Sequence, residues 1–119
     1  MSYVDGYVLP VPRKKLGQYR KMANQGRNAW MKHGAVDYKE CSGDDLAAKG
    51  GTPFTKMMKL KPGETVIFAF VVFKSRAHRD RVNAKVIKEL AAAGGPPQDT
   101  PFDMKRMVYG GFKTIVENR

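Results

Sequence analysis

The feature that most constrains the fold of this chain is an uninterrupted apolar run of eight residues, Val66 to Phe73 (VIFAFVVF). The run is rich in β-branched and aromatic residues, and the Pro-Gly turn at residues 61–64 precedes it, which is typical of a strand. Eight residues are too few to cross a membrane, which takes about 20. A strand that is apolar on both faces needs cover on both sides, so the sequence predicts a buried central strand.

The first half of the chain predicts a strand, a helix and a second strand. Residues 3–11 alternate as a strand does, and one of its faces carries Tyr3, Asp5, Tyr7, Leu9 and Val11. Residues 13–33 have apolar or small residues at spacings of three and four, which predicts a helix. The inner stripe of that helix consists of Leu16, Tyr19, Ala23, Gly26, Trp30 and His33. Residues 35–44 alternate well enough for a half-exposed strand.

The second half predicts another helix and a last strand. Residues 53–60 fit either a short helix or a strand, and the pattern does not decide between them. Ser75 is a suitable N-cap for a helix over residues 76–93. The inner stripe of that helix consists of Val82, Val86 and Leu90, widened by Ile87 and Ala91. Residues 106–116 predict the last strand, in which the pair Gly110 and Gly111 indicates a bulge.

The resulting order, β-α-β-β-α-β, predicts a single α+β domain over residues 1–119. Two helices cover only one face of a four-stranded antiparallel sheet, which gives a ferredoxin-like split βαβ sandwich. The other face of the strand at 66–73 then lacks cover from this chain. A second copy is the simplest cover, so we expect a homodimer joined through the sheets, as in a dimeric α/β barrel.

Composition excludes several classes of protein. Cys41 is the single cysteine, so no intrachain disulfide can form, which fits a reducing compartment. His33 and His78 with one cysteine do not make a zinc signature, and we expect no metal and no cofactor. The N-terminal residues lack the pattern of a secretory signal. We therefore expect a soluble cytoplasmic protein with no membrane partner.

Several local strings resemble a known family. They are YVDGYV (3–8), GDD (43–45), KPGETV (61–66), SRAHRD (75–80), PFD (101–103) and KRMVYGGF (105–112). In this order they are similar to the YbaA-like family of small bacterial proteins of unknown function, within the dimeric α/β-barrel superfamily. The resemblance implies the fold and the dimer but brings no established activity.

Polar residues at the ends of elements within these strings are the candidate site. We expect Asp5, Arg79, Arg106 and Tyr109 to border a small-ligand pocket, while no catalytic residue can be assigned. Buried, Asp5 would be either a base or a carboxylate satisfied by a backbone N–H or an arginine. Asp103 and Arg106 indicate either an anion-binding pair or a structural ion pair. His33 is interpreted as a capping or packing residue, His78 as a neutral histidine and Cys41 as an inert thiol.

The net charge of +11 is uneven along the chain. Residues 13–32 contain seven basic residues and no acidic one. Such a helix face could hold polyanions, but the aromatic residues Tyr19 and Trp30 lie on its inner stripe rather than among the charges. We therefore expect nucleic acid not to be a specific partner.

Two classes of function remain open at this stage. The first is a small-molecule pocket between sheet and helices, either for binding or, by fold-level resemblance, for chemistry like that of cofactor-independent monooxygenases. The second is a binding homodimer without chemistry, which uses its basic helix faces for polyanions. Whether the protein is an enzyme is left undecided.

Overall fold

The computed structural model describes residues 1–47, 49–95 and 100–118, and within them the chain forms four strands and three α-helices. The strands are β1 (Tyr3–Pro12), β2 (Asp37–Ser42), β3 (Glu64–Phe73) and β4 (Val108–Lys113). The helices are α1 (Leu16–Lys32), α2 (Phe54–Met57) and α3 (Arg76–Ala92). Short 3-10 turns over Arg13–Lys15 and Met104–Arg106 precede α1 and β4.

The strands form one sheet in the order β2-β3-β1-β4, and every neighbouring pair is antiparallel. The strand predicted from the apolar run, β3, lies at the centre beside β1, and all ten residues of each are paired. The register places Asp5 opposite Val71 on one side and Gly111 on the other. The predicted α+β fold, a four-stranded antiparallel sheet with ferredoxin-like strand order, is confirmed.

The core lies between the sheet and the two long helices. Phe73 of β3 packs in one cluster with Val82 and Val86 of α3, and Leu9 and Tyr19 belong to a second cluster under α1. Full burial of a large apolar side chain stabilises a fold by about 1.5–3 kcal/mol. These contacts hold both helices on the same face of the sheet, as the sequence predicts.

Element boundaries differ from the predicted ones where a local turn competes with the regular element. Residues 53–60 contain the helical alternative, α2. The last strand begins at Val108 rather than at residue 106, because the Asp103 carboxylate accepts the Lys105 N–H and starts a 3-10 turn. β2 is shorter than predicted at both ends.

The predicted bulge at Gly110 and Gly111 is wrong. Both glycines pair in regular register, with Gly6 and Asp5. The ring of Tyr3 lies over Gly111, and a Cβ there would come within 2.9 Å of Tyr3 Cε1. A glycine is therefore needed for a close approach of the ring, and not for a change in backbone register.

The inner stripe of α3 is shorter than predicted. Val82 and Val86 are buried, but Leu90 and Ile87 are exposed, Ile87 to 66%. This end of the helix contacts the end of α1 through polar groups, because Glu89 accepts from Lys32 Nζ at 2.6 Å. The apolar spacing therefore continues beyond the part of α3 that faces the sheet.

The face of the sheet opposite the helices, here called the open face, is apolar. The register brings together on it Val4, Val8, Phe68, Phe70, Val72, Val108 and Phe112. Phe68 and Phe112 are 46% and 61% exposed. The prediction that β3 is apolar on both faces is confirmed. Within the described residues, no helix is long and apolar enough to cross a bilayer.

Candidate functional site

A cavity of about 100 Å³ lies between the helix-facing side of the sheet and α1. Its walls are almost entirely apolar, and aromatic rings form much of them: Tyr7, Tyr19, Trp30, Tyr38 and Phe102. The rings contact one another in pairs. Trp30 and Tyr38 have centroids 5.9 Å apart, and Tyr19 meets Phe102 edge to face at 5.8 Å. Aromatic rings arranged in this way leave a rigid, preformed space.

One carboxylate, that of Glu40, lines this cavity. Its Oε1 accepts a hydrogen bond from the Tyr19 hydroxyl, and its Oε2 accepts one from the Tyr38 hydroxyl. Acceptance at both oxygens is the bonding pattern of an ionised carboxylate. The two hydroxyls also fix the carboxylate in place, so the cavity presents a positioned negative group among apolar walls.

The tyrosine hydroxyls of the cavity are held in their neutral form. Burial raises the pKa of Tyr7 to about 12, and the nearby Asp5 carboxylate adds to this shift. Burial and the hydrogen bond to Glu40 raise the pKa values of Tyr19 and Tyr38 as well. At neutral pH these side chains are therefore hydrogen-bond donors, and they add no charge to the cavity.

A second depression, here called the groove, adjoins the cavity at Glu40 and Tyr19, which line both. It has a volume of about 390 Å³ and extends over Leu16, Arg20 and Ser42 between the start of α1 and β2. Glu40 and Tyr19 thus stand between a small aromatic space and a larger space. A ligand with a compact head and a longer tail fits this shape.

Local sequence explains how each side chain reaches the cavity. Alternation along β2 turns Tyr38 and Glu40 toward α1, because they stand opposite the helix-facing residues Val71 and Ala69 of β3. Spacings of three and four along α1 bring Tyr19 and other stripe residues to the same side. Two residues of β2, Tyr38 and Glu40, and the inner stripe of α1 therefore form this part of the cavity wall.

A chain of hydrogen bonds connects the cavity to buried Asp5. Trp30 Nε1 donates to Asn83 Oδ1 at 3.0 Å, and Asn83 Nδ2 donates to Asp5 Oδ2 at 3.2 Å. The carboxylate of Asp5 also lies 3.7 Å from Arg79 Nη1. Asp5 is only 4% exposed. Within the described residues its Oδ2 accepts from the Asn83 amide and its Oδ1 has no hydrogen-bond partner, so Arg79 is an ionic neighbour rather than the hydrogen-bond donor that the sequence suggested. The structural effect of this arrangement is to orient Trp30.

Tyr109 stands next to the cavity rather than in it. Its ring stacks on that of Tyr7 with centroids 5.8 Å apart and an interplanar angle of 13°. Tyr109 is 70% exposed on the edge strand. Three of the four predicted site residues, Asp5, Arg79 and Tyr109, are therefore grouped around Tyr7, behind the wall of the cavity.

Arg106 lies elsewhere, and its expected ion pair with Asp103 needs correction. Its guanidinium binds Glu64, with Nη1 to Oε2 at 2.7 Å and Nη2 to Oε1 at 2.9 Å. Glu64 is opposite Pro12, seven residues along β1 from Asp5, or about 23 Å at roughly 3.3 Å per residue. The Asp103 carboxylate is used to start the 3-10 turn instead. The four predicted residues therefore do not border one site.

The remaining candidates, His78 and Cys41, lie in surroundings that indicate a structural rather than a chemical role. Burial, followed by the charges of Lys74 and Arg81, lowers the pKa of His78, which agrees with its interpretation as a neutral residue. His78 Nδ1 accepts the Lys74 N–H at the start of α3. Cys41 is a free, exposed thiol on the open-face side of β2. No group of three or more His, Cys, Asp or Glu side chains within residues 1–47, 49–95 and 100–118 is placed to hold a metal ion.

Sequence reasoning missed Glu40, the residue on which the cavity centres. The signal was present, because alternation in the string DYKECS puts Tyr38 and Glu40 on one face of the strand. A glutamate that shares a strand face with an aromatic residue points inward when that strand pairs with a buried strand, as β2 pairs with β3. Its proximity to Tyr19 depends on the crossing of α1 over β2, which only the fold provides.

Sheet order and helix placement define the chain as an α+β protein of ferredoxin-like topology, with an internal cavity lined by aromatic rings. The chain belongs to the family described as "Protein of unknown function (DUF1428)", whose model matches residues 2–104. This confirms the family expected from the local strings.

Two curated relatives of this chain are named as uncharacterised proteins. It is 34% identical over 119 residues to "Uncharacterized protein YbaA" of Escherichia coli (strain K12), with 98% of this chain and 99% of that protein covered. The same values hold for the protein of that name from Shigella flexneri. Among solved structures it is similar to "De novo designed protein Foldit4", with a TM-score of 0.45, 9% identity, and 98% and 100% of the two chains covered.

Proposed function

We propose that this protein binds a small organic molecule in the cavity beside Glu40. The observation that carries the proposal is a carboxylate fixed by two tyrosine hydroxyls in an otherwise aromatic and aliphatic space. Binding sites for small molecules are mostly apolar, with a few placed polar groups that set orientation. The cavity has this composition, and its apolar walls supply affinity while Glu40 supplies direction.

The single tryptophan of the chain, Trp30, lines the cavity and is a built-in reporter. We expect some members of a set of small aromatic and aliphatic amines, alcohols and amides to change its fluorescence and raise the melting temperature. The variant Ala69→Leu puts extra side-chain volume into the cavity and should abolish both effects. Ala84→Leu makes the same change at an exposed position of α3 and is the matched control.

The proposal fails if no compound of the set changes Trp30 fluorescence or stability. It also fails if binding is equal in Ala69→Leu and in the wild type. Thermal unfolding of Ala69→Leu must first show a cooperative transition. If that variant does not fold, Met22→Phe, which changes a half-buried cavity wall, replaces it.

A homodimer joined through the open faces is part of the proposal. Its support is that the exposed apolar side chains of Phe68, Val108 and Phe112 lie together on the open face, since contiguous apolar surface of this kind marks interaction sites. Two copies related by a two-fold axis would cover it with the same surface. Such an interface buries on the order of 2,000 Å² in total or less.

Light scattering tests the dimer directly. We expect a mass of twice the 13.3 kDa of one chain. Phe112→Asp places a charge on the open face and should give a monomer or aggregated protein, whereas Ile87→Asp, at an exposed position of α3, should leave the mass unchanged. A wild-type monomer at micromolar concentration contradicts the proposal.

A cytoplasmic location is also proposed, supported by the single free thiol of Cys41. Fractionation of cells tests it. Monooxygenase-like chemistry and polyanion binding by the basic residues of α1 stay predictions from the sequence.

A further inference from the structure

We propose that the ligand of the cavity is a small organic cation, a nitrogen carrying alkyl groups, with its charge against Glu40 and its carbon groups against the aromatic rings. This inference rests on the proposed function and names its ligand class. It stands on three independent observations, which are the missing counter-ion of Glu40, the aromatic walls and the shape of the adjoining spaces.

Glu40 has no basic partner within the described residues. No Lys, Arg or His nitrogen among them lies within 4.0 Å of its carboxylate. Within the described residues, each of the other carboxylates that is at least partly buried has a basic partner. These pairs are Asp5 with Arg79, Glu64 with Arg106, and Glu89 with Lys32.

The missing counter-ion is informative because the chain has 22 Lys and Arg against 11 Asp and Glu. Glu40 is partly buried, and a carboxylate that loses part of its hydration is costly unless it is paired. The two tyrosine hydroxyls satisfy part of its hydrogen-bonding capacity but leave its charge uncompensated. A cationic ligand would supply the positive charge that the described residues do not place beside this partly buried carboxylate.

The walls of the cavity suit an alkylated cation. Trp30, Tyr7, Tyr19, Tyr38 and Phe102 surround the space, and aromatic faces attract a cation through their quadrupoles. The attraction is strongest for tryptophan and is suited to ammonium groups with carbon substituents. The tyrosine hydroxyls are occupied by Glu40, so these rings are positioned as walls.

Size sets a further limit on the ligand. An apolar cavity of about 150 Å³ takes up one benzene molecule, and a trimethylammonium head is about as large. The cavity of about 100 Å³ therefore excludes a fused ring system and holds part of such a head, while the rest lies at Glu40, where the groove begins. The tail of the ligand would continue past Glu40 into the groove, where Arg20 and Ser42 offer polar contacts. A compact charged head on a short polar tail fits both spaces.

The experiment compares choline with 3,3-dimethyl-1-butanol, its neutral isostere, by titration of Trp30 fluorescence in the full chain. We expect choline to bind at least about tenfold more tightly. In Glu40→Gln the advantage of choline should disappear while the neutral alcohol binds as before, since shape is conserved and charge is lost. Glu89→Gln removes a carboxylate outside the cavity and should retain full discrimination.

The outcomes distinguish a failure of the cation inference from a failure of the proposed small-molecule site. Equal binding of choline and the alcohol overturns the cation inference and supports a small-molecule site. Discrimination that persists in Glu40→Gln overturns the role of Glu40. Binding of neither compound also overturns the cation inference, and the broader compound set with Ala69→Leu then decides the proposed function by itself. If Glu40→Gln does not fold, Trp30→Phe, read by calorimetry, should weaken choline more than the alcohol.

Discussion

Arg106 and Glu64 join the start of the last strand to the start of β3 through a two-bond fork, with Nη1 to Oε2 at 2.7 Å and Nη2 to Oε1 at 2.9 Å. The same guanidinium donates to the Lys59 carbonyl at 3.1 Å. Their side chains are only 21% and 11% exposed. A planar, bidentate pair with little water around it fixes geometry better than an exposed pair does.

We expect Arg106→Met to lower the free energy of unfolding by about 1–2 kcal/mol, between the values for exposed and buried ion pairs. Urea denaturation measures the loss. Lys105→Met removes the neighbouring exposed charge and should change stability by less than about 0.5 kcal/mol. Equal effects of the two variants would show that the fork does not stabilise the fold.

The same pair predicts an acid dependence. The hydrogen bond from Arg106 holds the pKa of Glu64 below its usual value of 4.5. Because the folded value is lowered, the stabilisation is fully present above 4.5 and is lost as pH falls through the folded pKa. The difference between wild type and Arg106→Met should therefore shrink as the pH falls below about 4.5. A difference that grows on acidification would contradict this.

Gly111 should tolerate no side chain, unlike its neighbour Gly110. A Cβ at Gly111 would overlap the Tyr3 hydroxyl oxygen and lie 2.9 Å from Cε1 of the same ring. Arg79 holds this ring in place by a hydrogen bond of 3.1 Å to the hydroxyl. At Gly110 the nearest atom is 3.9 Å away, an ordinary contact. We expect Gly111→Ala to cost about 1–3 kcal/mol by thermal or urea unfolding and Gly110→Ala to cost less than about 1 kcal/mol.

A double variant tests the cause. Tyr3→Ala removes the ring, so Gly111→Ala should cost much less in that background than in the wild type. If the losses in the free energy of unfolding are additive, the strain lies in the backbone and not in the contact with the ring.

Loss of Asp5 should affect both stability and the cavity. Asp5→Ala removes the acceptor of the Asn83 amide and the buried negative charge 3.7 Å from the Arg79 guanidinium, which we expect to cost about 2–4 kcal/mol. Trp30 fluorescence should change as well, because Asn83 connects Asp5 to the indole N–H. Asp80→Ala removes an exposed carboxylate 3.1 Å from Arg79 Nε and should cost less than about 1 kcal/mol, with unchanged fluorescence.

The cavity tyrosines predict an alkaline dependence of stability. Burial raises the pKa of Tyr7 from 10.0 to about 12. A raised folded value gives stabilisation that is complete below pH 10 and is lost as pH rises toward 12. Absorbance of the phenolate during a pH titration should show a component near pH 12 that Tyr7→Phe removes. Tyr3→Phe, outside the cavity, should leave that component in place.

The sequence by itself determined the type and order of the four strands and the two long helices, but not of the short helix α2. The apolar run 66–73 required a central strand, and the spacing of Leu16, Tyr19 and Trp30 required a helix with one inner stripe. The order of four strands and two long helices then admits few topologies, because crossovers are right-handed and helices must cover one face. These signals are local or periodic, so a single sequence contains them.

Tertiary structure alone decided which polar groups meet. Arg106 had an acid three residues away, yet it binds Glu64, 42 residues away, because the 3-10 turn uses Asp103 and directs the guanidinium across the sheet. Glu40 meets Tyr19 only because α1 crosses β2 at that point. Contacts of this kind depend on the relative placement of whole elements, which no spacing along the chain encodes, and they built the cavity.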